Sequence, residues 1–309
     1  MSDAATTNNT SKATDLLEQA IEVESTSKTD EALWQAANNL SPEDYEEFAC
    51  SALRSAVRSG SSVIATHLIN SEGVPISALT VLDIAHKPSI PLLETLVANG
   101  WDLNEASPKD NWRKGKRIID KTVQDHELVV WLVEHGAAVN GGEEDYEFEP
   151  RPPLLTETCA VLGSVKTLKF LLSHNAKMGR RTLHCAAKEA AAMGADPSNA
   201  SPSTNHETEE DSSGTRDRSN REEMLRFLVD DLKLNVNAMD SDAAKPYHFG
   251  TPLNYAVRQR NGAAVVRWLL QKGADPTLKG LDATMGPQEI ARSNGFTDIV
   301  GAFADKSKS

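Results

Sequence analysis

The feature that most constrains this fold is a recurring motif in which an apolar helical run ends at a glycine or an asparagine. The best copy reads "VVRWLLQKGADP" over residues 265–276, and two related runs stand at 129–140 and 168–178. In all three, a bulky aromatic residue stands five positions before the stop residue. The pairs are Trp131 and Gly136, Phe170 and Asn175, and Trp268 and Gly273. Because glycine readily adopts the left-handed conformation that ends a helix, this shared register indicates one structural unit used repeatedly.

The spacing of the stop residues supports a repeat. Gly136 follows Gly100 by 36 residues, and Asn175 follows Gly136 by 39 residues. Looser copies of the run stand at 65–76, 93–104 and 225–237. One such unit cannot bury its apolar face alone, so neighbouring units must stack to complete a core.

A second motif opens the first helix of the unit. "GTPLNYAV" covers residues 250–257, and "RTLHCAA" covers residues 181–187. Thr251 can cap the helix, and Pro252 suits its first turn. The predicted unit is therefore a turn, a short helix, a turn, a longer helix and a stop residue. Openings are predicted near Leu53, Leu82, Ile118, Leu154, Leu183 and Leu253, with a final half-repeat over 285–303.

With these motifs the chain resembles the ankyrin repeat family, whose period is about 33 residues and whose first helix opens T-P-L-H-x-A. The resemblance is strongest over 250–276 and degenerate over 46–104. It implies an all-α ankyrin-repeat solenoid of about six to seven stacked helix-turn-helix units, joined by hairpin fingers, over residues 46–309. It also implies a concave face, lined by fingers and inner helices, that binds another protein.

Three segments have a composition that differs from the repeats. Residues 1–13 are polar and are expected to form a disordered tail. Residues 14–45 contain amphipathic patterns that predict an N-terminal helical cap, with a small separate helical domain as the alternative. Residues 194–220 are nearly devoid of apolar residues and are predicted to be a disordered insertion in the fifth repeat. The insertion is interpreted as a tolerated spacer or as a regulatory segment with a phosphosite at Ser201.

Three of the turns between units are long and carry aromatic residues, although aromatics form 5% of the chain. These fingers span 104–117, 140–152 and 237–250; the first is basic and the second is acidic. Aromatic residues and arginine are common anchors of protein interfaces. The predicted partner contacts are Trp112, Arg113, Tyr146, Phe148, Tyr247 and Phe249. The alternative is that neighbouring fingers stack on one another.

Several classes of function are not expected. The net charge of −13 opposes general nucleic-acid binding, and no apolar run approaches the length that crosses a membrane. No phosphate-binding glycine loop and no paired Cys or His spacing for a metal is present. His184 and Cys185 are adjacent on a helix and point apart, and the family resemblance makes His184 a structural residue that hydrogen-bonds within its turn. His248, isolated in a finger, is expected to be solvated.

We therefore predict a non-enzymatic scaffold or adaptor with no cofactor, no metal and no small-molecule substrate, which binds a partner protein through the concave face and fingers. The sparse cysteines favour the cytoplasm, and the run "RKGKR" at 113–117 adds the nucleus if it acts as an import signal. The alternative is a dedicated regulatory or inhibitory subunit of one specific enzyme or transcription-related complex. An enzyme would need a pocket with converging His, Cys or carboxylate groups.

Overall fold

In a computed structural model, the structure describes residues 2–107, 116–141, 154–198, 213–242, 248–281 and 283–305. These residues form helices joined by turns, and no strand occurs among them. They fall into two compact units, of which the first ends at residue 138 and the second begins at residue 139. The predicted all-α class is confirmed for this part of the chain.

The helices of the first unit come in pairs. α1 packs against α2, and α3 packs against α4; α3 then contacts α5, and α4 contacts α6. A short 3₁₀ turn covers Ile76–Ala78. The helices are α1 (Ser2–Glu22), α2 (Thr26–Asn39), α3 (Pro42–Ser59), α4 (Ser62–Asn70), α5 (Val81–Ile84), α6 (Ile90–Ala98), α7 (Ile118–Lys121) and α8 (His126–Glu134).

The start of α3 illustrates how local sequence sets a boundary. Ser41 accepts a hydrogen bond from the backbone N–H of Asp44 at 3.2 Å, and Pro42 occupies the first helical position. The carboxylates of the first turn interact favourably with the positive end of the helix dipole. Gly60, with φ +84°, ends the helix. The residues at the two ends of α3 thus account for its boundaries.

Helices α2 and α4 lie side by side and run parallel. The Ser61 hydroxyl donates to Glu24 Oε1 at 3.1 Å, and further along the two helices His67 Nε2 lies 2.5 Å from Asp30 Oδ1. Both contacts join residues that are 37 positions apart, so the two helices keep a constant register along their length.

Helices α4 and α6 repeat the same relation. The Thr66 and Thr95 hydroxyls lie 2.9 Å apart, and the Asn99 amide donates to Asn70 Oδ1 at 2.9 Å. Both contacts join residues that are 29 positions apart. The second helices of three successive pairs in the first unit therefore form a parallel row.

The helices of the second unit also contact one another in sequence. α9 packs against α10 and α11; α11 packs against α12, α13 and α14; and α14 packs against α16. A π-helical segment, Phe227–Asp231, continues α12. The helices are α9 (Leu155–Leu162), α10 (Val165–Ser173), α11 (Thr182–Ala192), α12 (Ser213–Arg226), α13 (Pro252–Ala256), α14 (Ala263–Gln271), α15 (Pro287–Ser293) and α16 (Thr297–Asp305).

The stop residues predicted from the sequence have the left-handed backbone that ends a helix. Gly136, Asn175 and Gly273 have φ values of +98°, +61° and +93°. In each case the next residue donates its N–H to the carbonyl five positions earlier, at 2.9 Å, which satisfies a carbonyl of the last turn. The predicted register of the second helix is confirmed at these three positions.

The aromatic residue of each run packs against the residue just before the stop. Trp131 and Trp268 are buried, and Phe170 is half-buried. The partner is cationic or imidazole, so its ring or ammonium group covers one aromatic face. The pairs are Trp131 with His135 (centroids 4.0 Å apart), Phe170 with His174 (4.3 Å) and Trp268 with Lys272 Nζ (5.3 Å).

The structure differs from the sequence prediction in the two polar segments. Residues 2–13, expected as a disordered tail, belong to α1, and Ala13 is fully buried. Residues 213–220 of the predicted insertion belong to α12, while residues 199–212 lie outside the described residues. In both helices the opposite end carries buried apolar residues, such as Leu17 in α1 and Met224 in α12, and a helix once anchored extends readily into a polar stretch.

Candidate functional site

Of the six residues predicted to contact a partner, Phe249 lies within the described residues. The other five lie outside them: Trp112, Arg113, Tyr146, Phe148 and Tyr247. The candidate site is therefore built from the finger 237–250, whose two ends, 237–242 and 248–250, are described. These ends show how firmly the finger is held.

Asn237 fastens the finger to the turn that follows the next helix pair. Its side-chain amide donates to the carbonyl oxygen of Gly273 at 3.1 Å, and its Oδ1 accepts from the N–H of Asp275 at 2.8 Å. One asparagine side chain thus bonds both a backbone carbonyl and a backbone N–H of the neighbouring turn. It holds the start of the finger at a set distance from the next stop residue.

The same bonding recurs at two other positions. In each, an asparagine four residues after a left-handed stop bonds the carbonyl of the following stop residue and the N–H two residues beyond it. The sequence motifs end in these asparagines, but their role follows only from the structure. The bonds are Asn104 to Gly136 (3.1 Å) and Ala138 (2.8 Å), and Asn140 to Asn175 (2.7 Å) and Lys177 (2.8 Å).

Asp240 closes the base of the finger. Its backbone N–H donates to the carbonyl of Gly250 at 3.1 Å, so the two ends of the finger meet. Its carboxylate, 4% exposed, accepts from the N–H of Phe249 (2.8 Å), the N–H of Gly250 (3.2 Å) and the hydroxyl of Tyr255 (2.6 Å). A buried carboxylate is tolerated because these donors replace its water. The finger is thereby tied to helix α13 beneath it.

Two aromatic rings and a cation pack over this carboxylate. Phe249 meets Tyr255 edge-on with centroids 5.2 Å apart, and the Arg258 guanidinium lies 4.4 Å from the Phe249 centroid. Burial, with the nearby Asp240 carboxylate, raises the pKa of Tyr255, so its hydroxyl remains a donor. Phe249 is half-buried and thus helps to hold the finger base; contact with a partner stays a prediction.

His248 does not lie in solvent as the sequence predicted. Its side chain is 5% exposed, and its Nδ1 lies 3.5 Å from the Asp240 carboxylate. The prediction failed because the carboxylate beside the imidazole stands eight positions earlier, on the other side of the finger. The finger base thus encloses a second polar side chain beside Asp240.

Polar residues at the start of α11 and α13 bond the turn that follows their own helix pair. His184 Nε2 donates to the carbonyl of Ala238 at 2.9 Å, and the Asn254 amide donates to the carbonyl of Leu278 at 3.1 Å. Both residues stand fourth in the helix-opening motif. The resemblance made His184 a structural residue that bonds within the turn, and its acceptor lies 54 residues away, in the turn after α12. Burial lowers the pKa of His184, so it is held as neutral imidazole.

Arg180, in the short turn before α11, contacts the finger 237–250 on the surface of the second unit. Its Nε donates to the carbonyl of Met239 at 3.1 Å, and its two terminal nitrogens each lie 2.5 Å from the Asp242 carboxylate. The hydrogen bonds from Arg180 lower the pKa of Asp242. Because the pair is exposed, it orients the finger more than it stabilises the fold.

The finger 104–117 of the first unit also has a closed base. An antiparallel bridge joins Ala106 to Arg117, and the N–H of Ser107 donates to the carbonyl of Lys116 at 3.0 Å. The Arg117 guanidinium donates to the carbonyl of Ala138 at 2.6 Å. The described part of this finger is therefore a hairpin held against the following turn.

The thiols of the second unit are held in their protonated form. Burial raises the pKa of Cys159 to about 12 and that of Cys185 to about 11. Because the thiolate is the reactive form of cysteine, neither is activated as a nucleophile. Among the described residues, no helix is both long and apolar enough to span a bilayer.

The helix pair that follows the finger 237–250 matches a known family model. The Ankyrin repeat model matches residues 250–281, which begin at Gly250, include α13 and α14, and run past the stop residue Gly273. No curated protein matches the chain. The match identifies residues 250–281 as one ankyrin repeat.

Proposed function

We propose that this chain is a non-enzymatic scaffold or adaptor that binds a partner protein through its hairpin fingers and the face between them. An ankyrin repeat indicates protein–protein interaction in general. The observation that carries the finer proposal is the closed base of the finger 237–250, where the buried Asp240 carboxylate accepts three hydrogen bonds. A finger whose base is held before binding loses less conformational entropy when it meets a partner.

The proposal includes the stacked solenoid of about six to seven repeats that the sequence predicts. Two features support stacking inside each unit. Helices α2, α4 and α6 form a parallel row in the first unit, and the asparagine bonds at Asn140 and Asn237 join successive turns in the second. Stacked repeats display their fingers side by side, which makes an extended surface suited to another polypeptide.

The charges of the fingers set the kind of partner we expect. The finger 104–117 carries a basic cluster, and the finger 140–152 carries a run of carboxylates. A partner with charged groups of both signs would complement them and would be steered toward them. We propose a protein partner rather than nucleic acid, membrane or a small molecule, met in the cytoplasm, and also in the nucleus if residues 113–117 act as an import signal.

The proposal is tested by affinity capture with the full chain and single-residue variants, followed by binding measurements with the purified partner. Trp112→Ala and Tyr247→Ala remove predicted contacts in two fingers. Trp34→Ala is the matched control, because Trp34 is 68% exposed on α2 and belongs to no finger. We expect each finger variant to raise Kd at least about tenfold, while the control leaves Kd unchanged. Equal Kd for all three variants would contradict binding through the fingers.

The same experiment separates the adaptor from a dedicated regulatory subunit. Light scattering on the purified complexes gives their stoichiometry. Several partners bound through the same fingers support an adaptor. One enzyme or one transcription-related complex, bound one-to-one with a change in its activity, supports the alternative.

A further inference from the structure

Three potential metal ligands converge on the surface of the first unit, away from the fingers. They are Asp30, His67 and Glu72, and their ligand atoms all lie within 4.8 Å of one another. His67 Nε2 is central: it lies 2.5 Å from Asp30 Oδ1 and 3.9 Å from Glu72 Oε1. An imidazole between two carboxylates is a donor set that divalent transition metals accept.

The fold itself brings these residues together. Asp30 lies on α2 and His67 on α4, at the 37-residue offset that also joins Glu24 to Ser61. Glu72 follows the end of α4, and its backbone N–H donates to the carbonyl of His67 at 3.2 Å. The chain therefore turns back toward the imidazole just where the second carboxylate is needed.

The two separations from His67 suit a tetrahedral ion after small side-chain movements, and the oxygens of Asp30 and Glu72 lie within 4.8 Å of each other. Ligand atoms bound at about 2.0–2.1 Å in tetrahedral geometry stand about 3.3 Å apart. The separations of 2.5 Å and 3.9 Å lie on either side of that value, each within about 0.8 Å. The side chains of Asp30 and Glu72 are 53% and 34% exposed, so they can rotate and an ion can enter from solvent.

We propose that Asp30, His67 and Glu72 bind one Zn²⁺ ion, with water in the fourth position, and that the ion fastens α2 to α4. Imidazole favours zinc over Mg²⁺ and Ca²⁺, which prefer sets of oxygen ligands. The two carboxylates balance the charge of the ion, and the net charge of −13 raises the concentration of cations near the surface. This site does not depend on the proposed partner binding.

A search for metal-binding motifs in the sequence misses this arrangement. The sequence predicts no metal site because no two Cys or His residues have ligand spacing. Here one ligand comes from a helix 37 positions before the histidine, so the pattern exists only once α2 and α4 lie in register.

Calorimetric titration of the chelator-treated full chain with ZnCl₂ tests the site. The wild type is expected to bind one more equivalent of Zn²⁺ than His67→Ala, and its melting temperature is expected to rise with Zn²⁺ while that of the variant stays constant. Bound Co²⁺ is expected to give the visible absorption of a tetrahedral site in the wild type alone. His86→Ala, which removes an exposed histidine of the same unit, is expected to bind like the wild type.

A second variant distinguishes metal binding from a structural role of the hydrogen bond. Asp30→Asn retains an oxygen that accepts from His67 but lacks the negative charge, so the fold is preserved and Zn²⁺ affinity falls at least about tenfold. If His67→Ala fails to fold, as judged by circular dichroism, Asp30→Asn and Glu72→Gln decide the question. Wild-type stoichiometry and affinity in those variants, or in a folded His67→Ala, would overturn the proposal.

Discussion

Replacing Asp240 by alanine should destabilise the second unit strongly. The change leaves three donors at the finger base without an acceptor: the Tyr255 hydroxyl and the N–H groups of Phe249 and Gly250. Each buried donor left unsatisfied costs about 1–3 kcal/mol. The variant also avoids the desolvation of a carboxylate, and the half-buried finger lets water reach some donors. We therefore take the low end and expect a loss of about 3–4 kcal/mol in the free energy of unfolding.

A double-mutant cycle with Tyr255→Phe isolates one of these bonds. Once the hydroxyl is gone, Asp240→Ala strands two donors instead of three. The loss caused by Asp240→Ala should therefore be smaller in the Tyr255→Phe background than in the wild type by about 1–2 kcal/mol. Asp240→Asn, which keeps one acceptor oxygen in place, should fall between the wild type and Asp240→Ala.

Urea unfolding followed by far-UV circular dichroism and by tryptophan fluorescence measures these differences. The two probes must shift together and the dependence on urea must stay unchanged for the free energies to be comparable. Asp242→Asn is the control on the same finger, because Asp242 is exposed and should change the transition little. An Asp240→Ala variant within about 0.5 kcal/mol of the wild type would refute the role given to this carboxylate.

Three further predictions use the same measurement. Gly250→Ala should lower the free energy of unfolding by about 2 kcal/mol or more, because φ is +102° and a Cβ would stand 2.9 Å from a neighbouring backbone atom. Gly301→Ala, in open space on α16, should raise the free energy of unfolding by up to about 1 kcal/mol. Burial lowers the folded-state pKa of His184, so the unfolded state binds the proton more readily and wild-type stability should fall as pH decreases below about 6.5. His184→Asn should show a flatter dependence between pH 7 and pH 5, and an unchanged slope would assign the effect to other groups. Asn237→Ala should cost about 1–2 kcal/mol and accelerate hydrogen exchange at the N–H of Asp275, whereas unchanged exchange would exclude the bond.

The stop residues could be read from the sequence because a left-handed backbone has a chemical signature. Glycine and asparagine adopt positive φ more easily than other residues, and an aromatic residue five positions earlier fixes the register. Lys233, with φ +55°, is also left-handed and follows the π-helical segment, but the next N–H bonds the carbonyl six positions earlier and the residue carries no such signature. The sequence therefore predicts the helix ends at glycine or asparagine, but it does not locate the helix end at Lys233.

The finger base could not be predicted because its partners are distant from one another along the chain. Asp240 sits in a polar turn whose composition indicates only solvent exposure, while its hydrogen-bond donors lie at residues 249, 250 and 255. The asparagine bonds are different, since each asparagine stands four residues after a stop and its position could have been noticed. Local spacing was thus available for one kind of contact and absent for the other.

The parallel row of second helices bears on why the sequence motif is degenerate over residues 46–104. Between α2 and α4 stands the 18-residue helix α3, whereas between α4 and α6 stands α5, with 4 residues. The offsets of 37 and 29 residues absorb this difference, yet hydrogen bonds between equivalent turns are made in both cases. Side-chain contacts between second helices therefore keep the register, although the first helix between them differs in length. The α1–α2 pair, predicted as a distinct cap, joins the row by the same type of contact, so its packing follows from the register of α2 on α4 and needs no repeat motif of its own.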